Sequence, residues 1–472
     1  MRNGDGDRAG NESGGRTGTE VGNGAGSAAK RRRWRRAGAV GALVVAAALV
    51  ATAAGAQGAV RTERPAPGPV PGHAPLDTSL RTSAADAHPA RMTLPAPTGP
   101  HQVGTASLHL VDHRRHDPWV TGQAHRELMV SVRYPAQEDA GRYPLAPQML
   151  PGEAAGFDAL NSFSKYVPQG KVDWGATRTH AHQGAPVARH RGRLPVVLYS
   201  PGAGDPRSLG STLCDELASR GYVVVSIDHT YEAAGVEFPD GRVARSVMPA
   251  EMERAEKAGR MTELLKKVSG VRVADTRFVL DELTKVGRSS PLPAGLRGAL
   301  DLKAIGMFGQ SAGGFTAAQT MHDDRRIKAA VNMDGVMGYT QRDDDPSNPS
   351  TVGLDGVDRP LLLMGKEGDT HHTVASWGAV WGHSSGWHRD LTLGRSTHAS
   401  YTDAESLIPQ IARRLDLRRK EVIKMIGSID PGRAVAAQRA YVPAFFDRWL
   451  RGRDSGLFDG PSDRYPEVRF VR

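Results

Sequence analysis
The stretch LKAIGMFGQSAGGFTAAQT, Leu302 to Thr320, decides the reading of this chain. Leu302 to Phe308 is a short, mostly apolar run of the kind that forms a buried strand. Gly309-Gln310-Ser311-Ala312-Gly313 follows, a G-x-S-x-G pentapeptide, and then small residues that can continue as a helix. In a chain with 55 glycines the pentapeptide alone says little. Between a strand and a helix it predicts a sharp turn that holds Ser311 in a strained conformation, hydroxyl outward. Glycines flank the serine because bulkier residues would strike the strand or the helix. Gly313, Gly314, Ala317 and Ala318 predict a helix packed closely on the sheet. The competing reading is an ordinary glycine-rich turn in an α/β domain.

The neighbouring runs supply the rest of a sheet. Arg126 to Tyr134 alternates apolar and polar residues and reads as a strand. Leu194 to Tyr199 is a second, closed by Ser200-Pro201-Gly202-Ala203-Gly204 and followed by helical spacing at Leu209, Leu213 and Leu217, with Gly221 as the stop. Tyr222 to Ile227 is almost wholly apolar, as a parallel strand buried on both faces should be. Residues 250–267 are charged and read as a helical insertion, and Val271 to Leu283 as an amphipathic helix. Ile327 to Met333 is a strand ending in Asp334. Pro360 to Met364 is another, ending in Gly365-Lys366-Glu367-Gly368-Asp369. Arg389 to Leu393 is the last expected strand, and Arg433 to Leu450 a closing helix. Strands alternating with helices imply a mostly parallel sheet with helices on both faces. Gln137 to Gly192 shows few periodic runs and reads as a long loop, a lid or rim.

A serine hydroxyl needs a histidine to take its proton and a carboxylate to orient that histidine. In open α/β sheets the working residues lie beyond the carboxyl ends of strands. Ser311, Asp334 and His398 meet that rule, in the order serine, acid, histidine. Asp369 is the alternative acid, since it also follows a strand and lies nearer His398 in sequence. A tetrahedral intermediate needs two N–H donors. Ala312, after the serine, supplies one, and Ala203, in the glycine-flanked loop after the Leu194 strand, the other. His229 reads as a structural hydrogen-bonding group near the site. The doublet His371-His372 lacks a third ligand at a helical spacing, so no metal and no cofactor is expected. Cys214 is the single cysteine, sits among apolar residues and reads as core, leaving no intramolecular disulfide.

The ends differ in composition. Residues 1–29 are polar and glycine-rich. Lys30 to Arg36, KRRRWRR, precedes an uncharged run from Ala37 to Val60, the pattern of a signal peptide or of an uncleaved membrane anchor. Either places the remainder outside the cytoplasm, secreted or held on the outer face of the membrane. Residues 1–60 carry nine Lys/Arg against four Asp/Glu, half of the chain's net charge of +10, so the remainder is not basic enough to indicate nucleic acid. The expected organisation is leader 1–60, Pro-rich linker 61–103, catalytic domain 104–452 and tail 453–472.

PVVLYSPGAGDPRSLGSTLCDELASRGYVVVSIDHTY resembles the oxyanion-loop segment of plasma-type platelet-activating factor acetylhydrolases and related bacterial lipases. GQSAGG resembles their elbow, AAVNMDG the strand end with their acid, and GRSTHASYTD the segment with their histidine. The resemblance spans roughly Arg126 to Asp403. It implies an α/β-hydrolase fold and a metal-independent serine esterase or lipase acting on a small-molecule or lipid ester. It assigns Ser311 as nucleophile, Asp334 as acid, His398 as base, and Ala203 and Ala312 as oxyanion donors. The place of Asp369 is more like the acid of cutinase-type polyester hydrolases. Pro201 stands where members often have histidine, and the 137–192 and 250–267 segments have no clear counterpart, which leaves the substrate open. Triacylglycerol or polyester cleavage, and a catalytically silent binding protein on the same fold, are the alternatives.

Overall fold
The computed structural model describes residues 92–189, 192–285 and 292–472. The leader, the apolar run at 37–60 and most of the linker lie outside the described residues. The strands are β1 (Gln102–Asp112), β2 (Arg126–Ala136), β3 (Leu145–Pro147), β4 (Arg178–Gln183), β5 (Leu194–Ser200), β6 (Val223–Ile227), β7 (Gly235–Glu237), β8 (Val243–Arg245), β9 (Leu300–Gln310), β10 (Ile327–Met333), β11 (Leu361–Gly365), β12 (His388–Leu393) and β13 (Val468–Phe470). The helices are α1 (Pro151–Leu160), α2 (Ser211–Ser219), α3 (Met248–Lys257), α4 (Met261–Thr284), α5 (Ala312–Asp323), α6 (Thr351–Asp355), α7 (Ala375–His383), α8 (Ala404–Leu415), α9 (Arg419–Ile426) and α10 (Pro431–Arg451).

Eleven strands form one sheet in the order β13-β12-β11-β10-β9-β5-β6-β2-β1-β4-β3. From β6 to β12 the pairings are parallel, and β2 and β13 add antiparallel neighbours at either side. The two faces follow from the period of two along a strand. In β5, Val196 and Leu198 join the core beneath α4, α5 and α7, with Phe278, Met321 and Trp377. Val197 and Tyr199 join the opposite core beneath α2 and α10, with Leu217, Phe445 and Phe446. Cys214 is buried in that second core. This is the α/β-hydrolase fold expected from the sequence.

Three expectations change. The Gln137–Gly192 stretch is not a structureless loop: it holds β3, α1 and β4, and Phe157, Phe163 and Trp174 pack against Leu407, Ile408 and Ile426 of α8 and α9. Its elements are too short to show a period, and their apolar partners lie more than two hundred residues away. The charged 250–267 segment is not a separate insertion. Its second half is the start of the 24-residue α4, which runs through Gly270. That glycine reads as a break in sequence, but it faces open space on the helix surface, where glycine costs only about 1 kcal/mol.

The domain limits also move. Met92 and Leu94 are buried with Ile408 and Ile411, so residues 92–103 belong to the domain rather than to a linker. Beyond Gly452, Phe458, Tyr465 and Val468 are buried against Tyr441 and Phe445, and β13 pairs with β12. The expected tail is an edge of the core, and β12 is not the last strand. Phe458→Ala should therefore cost about 3–5 kcal/mol, a core penalty, measured by urea denaturation. A free tail would show almost none.

Candidate active site
The elbow is built by close backbone approach. Ser311 sits at φ 57°, ψ −125°, between β9 and α5. A Cβ on Gly313 would lie 1.9 Å from Ser200 O, and one on Gly309 would lie 2.2 Å from the Gly313 carbonyl carbon. Only glycine fits at either place, so the first turn of α5 rests directly on the loop that follows β5. The Ser311 N–H donates to Met333 O at 2.8 Å, tying the elbow to the end of β10. One residue on, Asp334 also has positive φ, 59°. Asn332 shapes that turn, its side chain accepting from Gly335 N at 2.9 Å and donating to Gly335 O at 2.8 Å.

Asp334 is buried, and its two oxygens are committed. Oδ1 accepts from Lys366 N at 2.9 Å, and Oδ2 lies 2.6 Å from His398 Nδ1. Burial pushes its carboxyl up, but the His398 bond and the Lys366 ammonium 3.7 Å away outweigh it, so the group sits below the usual carboxylate range. His398 is about one-third exposed. It opens a short 3-10 turn, His398–Tyr401, pinned by Gln310 Nε2 donating to His398 O at 3.2 Å and by Tyr401 OH donating to Gly365 O at 2.8 Å. The backbone of His398 is thereby held by the residue next to Ser311. His398 Nε2 and Ser311 Oγ have no hydrogen-bond partner among the described residues. Nucleophile–base hydrogen bonds are often long or poorly aligned before substrate binds.

Asp369 takes a different partner. Its carboxylate pairs with the Lys366 ammonium, and no contact with His398 is formed. Burial and the nearby Asp334 charge raise its pKa to about 6. The geometry brings Asp334, not Asp369, to the histidine.

Ala203 is exposed at the tip of the loop after β5, and its N–H has no partner within the described residues. A Cβ on Gly202 would lie 2.5 Å from Gln310 Oε1, and Gly204 has φ 78°. Ala312 is the first residue of α5, so its N–H belongs to the unpaired donors of a helix N-terminus. His371, His372 and His229 are engaged elsewhere. His371 Nδ1 bonds Asp390 at 2.7 Å, and His372 Nε2 donates to Arg472 O at 2.8 Å. His229 is buried between Ser200 Oγ at 2.9 Å and Asp275 at 3.1 Å, and burial lowers its pKa. Sequence reasoning missed Asn332, Lys366, Gln310 and Tyr401. Gln310 adjoins Ser311, Asn332 lies two residues before Asp334 and Lys366 three before Asp369, and that nearness was the available signal.

The sequence model of the family described as platelet-activating factor acetylhydrolase, isoform II, matches residues 87–451. A probable 1-alkyl-2-acetylglycerophosphocholine esterase of Arthroderma benhamiae is 27% identical over 413 residues, 83% of this chain and 97% of that protein. The platelet-activating factor acetylhydrolase of Cavia porcellus is 24% identical over 52% of this chain and 56% of its own length. Among solved structures, the ferulic acid esterase from Streptomyces cinnamoneus superposes with a TM-score of 0.64 at 35% identity, covering 81% of this chain and all of that one. Fold and relatives together define a carboxylic ester hydrolase of the serine-hydrolase type. The chain belongs to the platelet-activating factor acetylhydrolase isoform II family. The silent binding-protein alternative is set aside accordingly.

Exchanging the two acids tests the geometry. Asp334→Asn should lower turnover by roughly 10⁴, the loss expected when a histidine takes the wrong tautomer. Asp369→Asn should cost far less at a similar melting temperature. Steady-state kinetics on a p-nitrophenyl ester, paired with thermal melts, separates the two.

Proposed function
We propose that Ser311 is the nucleophile, His398 the general base and acid, and Asp334 the residue that orients His398, with Ala203 and Ala312 N–H as oxyanion donors. The 2.6 Å contact between Asp334 and His398, at a strand end hydrogen-bonded to the elbow, carries this reading. Ser311 Oγ attacks the ester carbonyl as His398 Nε2 takes its proton. The negative oxygen that forms is met by the two N–H donors. Collapse expels the alcohol, which takes the proton from His398, and leaves an acyl-serine. Water activated by the same histidine then releases the carboxylic acid.

The substrate reading is short or oxidised acyl chains on a phospholipid, or small soluble esters. The acetyl-ester relative supports the first. The 35% identity to the ferulic acid esterase supports the second. Triacylglycerols and polyesters are the runner-up. The N-terminal pattern supports action outside the cytoplasm, either secreted or anchored through the apolar run at 37–60. No helix among the described residues is long and apolar enough to cross a membrane.

Ser311→Ala should abolish both p-nitrophenyl ester hydrolysis and fluorophosphonate labelling, and EDTA should leave the native activity intact. Labelling that survives the substitution would overturn the elbow assignment. Rates across a panel of 1-alkyl-2-acetylglycerophosphocholine, methyl ferulate and acyl chains of increasing length should peak at short acyl groups or at the aryl ester. A maximum at long chains would favour the triacylglycerol reading. Cell fractionation should find the protein outside the cytoplasm. Recovery in the medium with a new N-terminus between Ala51 and Val60 would exclude the anchor.

A further inference from the structure
The loop that carries Ala203 is not free to choose its peptide orientations. Beneath it lies Arg272, from the middle of α4, with about 1% of its surface exposed. Its guanidinium donates to Pro201 O at 2.7 Å, to Gly202 O at 3.0 Å and to Ser200 Oγ at 3.3 Å. Its remaining donors face Glu232, with Nε 2.8 and 2.9 Å from the two carboxylate oxygens. Glu232 is equally buried, so the pair is electrically balanced and the fork is held in one plane.

A trans peptide turns its C=O and the following N–H in opposite directions. The bond from Arg272 to Gly202 O therefore aims the Ala203 N–H away from the guanidinium and out of the protein. The bond to Pro201 O does the same for the preceding peptide. A cation on a carbonyl also draws electron density from that amide and strengthens its N–H as a donor. The start of the loop is set by a second buried chain. Ser200 Oγ receives the Arg272 bond and so presents its own proton to His229 Nε2, whose Nδ1–H then faces Asp275. The far end is set by Ala234 N donating to Gly204 O at 2.9 Å. None of these groups reaches the outer side of the loop.

We propose that Arg272, held by Glu232, is a positioning residue for ester hydrolysis: it orients and polarises the Gly202–Ala203 peptide so that the Ala203 N–H stabilises the oxyanion. This rests on the reading of Ser311 as nucleophile and Ala203 as oxyanion donor.

The test uses the full chain. Arg272→Lys keeps the charge opposite Glu232 but lacks the planar fork. The pair Arg272→Met with Glu232→Leu removes both charges together, which a buried ion pair commonly tolerates, and serves if the lysine variant does not fold. Activity is normalised to active sites counted by exhaustive fluorophosphonate labelling. The expected result is a fall in kcat of about 10²-fold, as for loss of one oxyanion donor, with KM nearly unchanged. A trifluoromethyl ketone, which forms a tetrahedral adduct on a serine, should lose affinity by a similar factor, whereas its unreactive alcohol analogue should not. A merely structural role would lower the number of active sites and leave both ratios unmoved, and that outcome would overturn the proposal. Ser311→Ala separates the two levels. If it stays active, the site reading itself fails. If it is silent while the Arg272 variants keep native kcat and ketone affinity, only the role of Arg272 fails.

Discussion
One backbone hydrogen bond, Ser311 N to Met333 O at 2.8 Å, sets the distance on which the site depends. It joins the turn after β9 to the last residue of β10, and the next residue is Asp334. Both turn residues, Ser311 and Asp334, stand at positive φ, a conformation that non-glycine residues hold only when surrounding contacts compel it. Those contacts are visible: Asn332 closes the Asp334 turn, and a Cβ on Gly335 would lie 2.1 Å from Ser311 O. At the elbow the strain falls on the two residues whose side chains must leave the sheet, and parallel pairing on both sides holds the frame.

Buried charge does the corresponding work at the loop that carries Ala203. Arg272 with Glu232, Arg126 with Asp117 and Asp275, and Arg207 with Asp228 and Glu153 all lie at the ends of β5 and β6. Each reaches the loops there: Arg272 at Pro201 and Gly202, Arg126 at Thr230 O, 2.8 Å away, and Arg207 through its N–H to Asp228 at 2.6 Å. Burial pushes the Asp275 carboxyl up, but Arg126 and His229 hold it well below the carboxylate range, so it stays charged and keeps His229 oriented. Such pairs add little net stability over apolar residues. Removing one partner, however, costs about 3–5 kcal/mol, because it strands a charge. They suit a loop that must have one conformation more than they suit a fold that must be stable.

The parallel strands were legible because each is a local apolar run, and the elbow because its glycines mark close approach within five residues. Asp334 could be preferred but not isolated. What separates it from Asp369 is Lys366, whose N–H serves Asp334 while its ammonium pairs with Asp369, a division no spacing reveals. Arg272 was hidden for a similar reason. It stands between Val271 and Val273 in a helix that reads as amphipathic, and its partners lie 40 and 70 residues away. β3 and β13 escaped because three residues are too few to show a period, and β4, Arg-Thr-His-Ala-His-Gln, because it carries no apolar run.

The region around α3 is held less directly by the sheet than the elbow is. Trp119, Met248, Leu264 and Val271 form a small apolar cluster of their own under α3 and the first half of α4, apart from the two main cores. The cluster includes neither the elbow nor the Asp334–His398 pair. Yet Val271 precedes Arg272 directly, and both belong to one helix. A substitution that shifts α4 to reshape this cluster also shifts the guanidinium under the Ala203 loop. Drift in this cluster is therefore limited to changes that leave the middle of α4 in register.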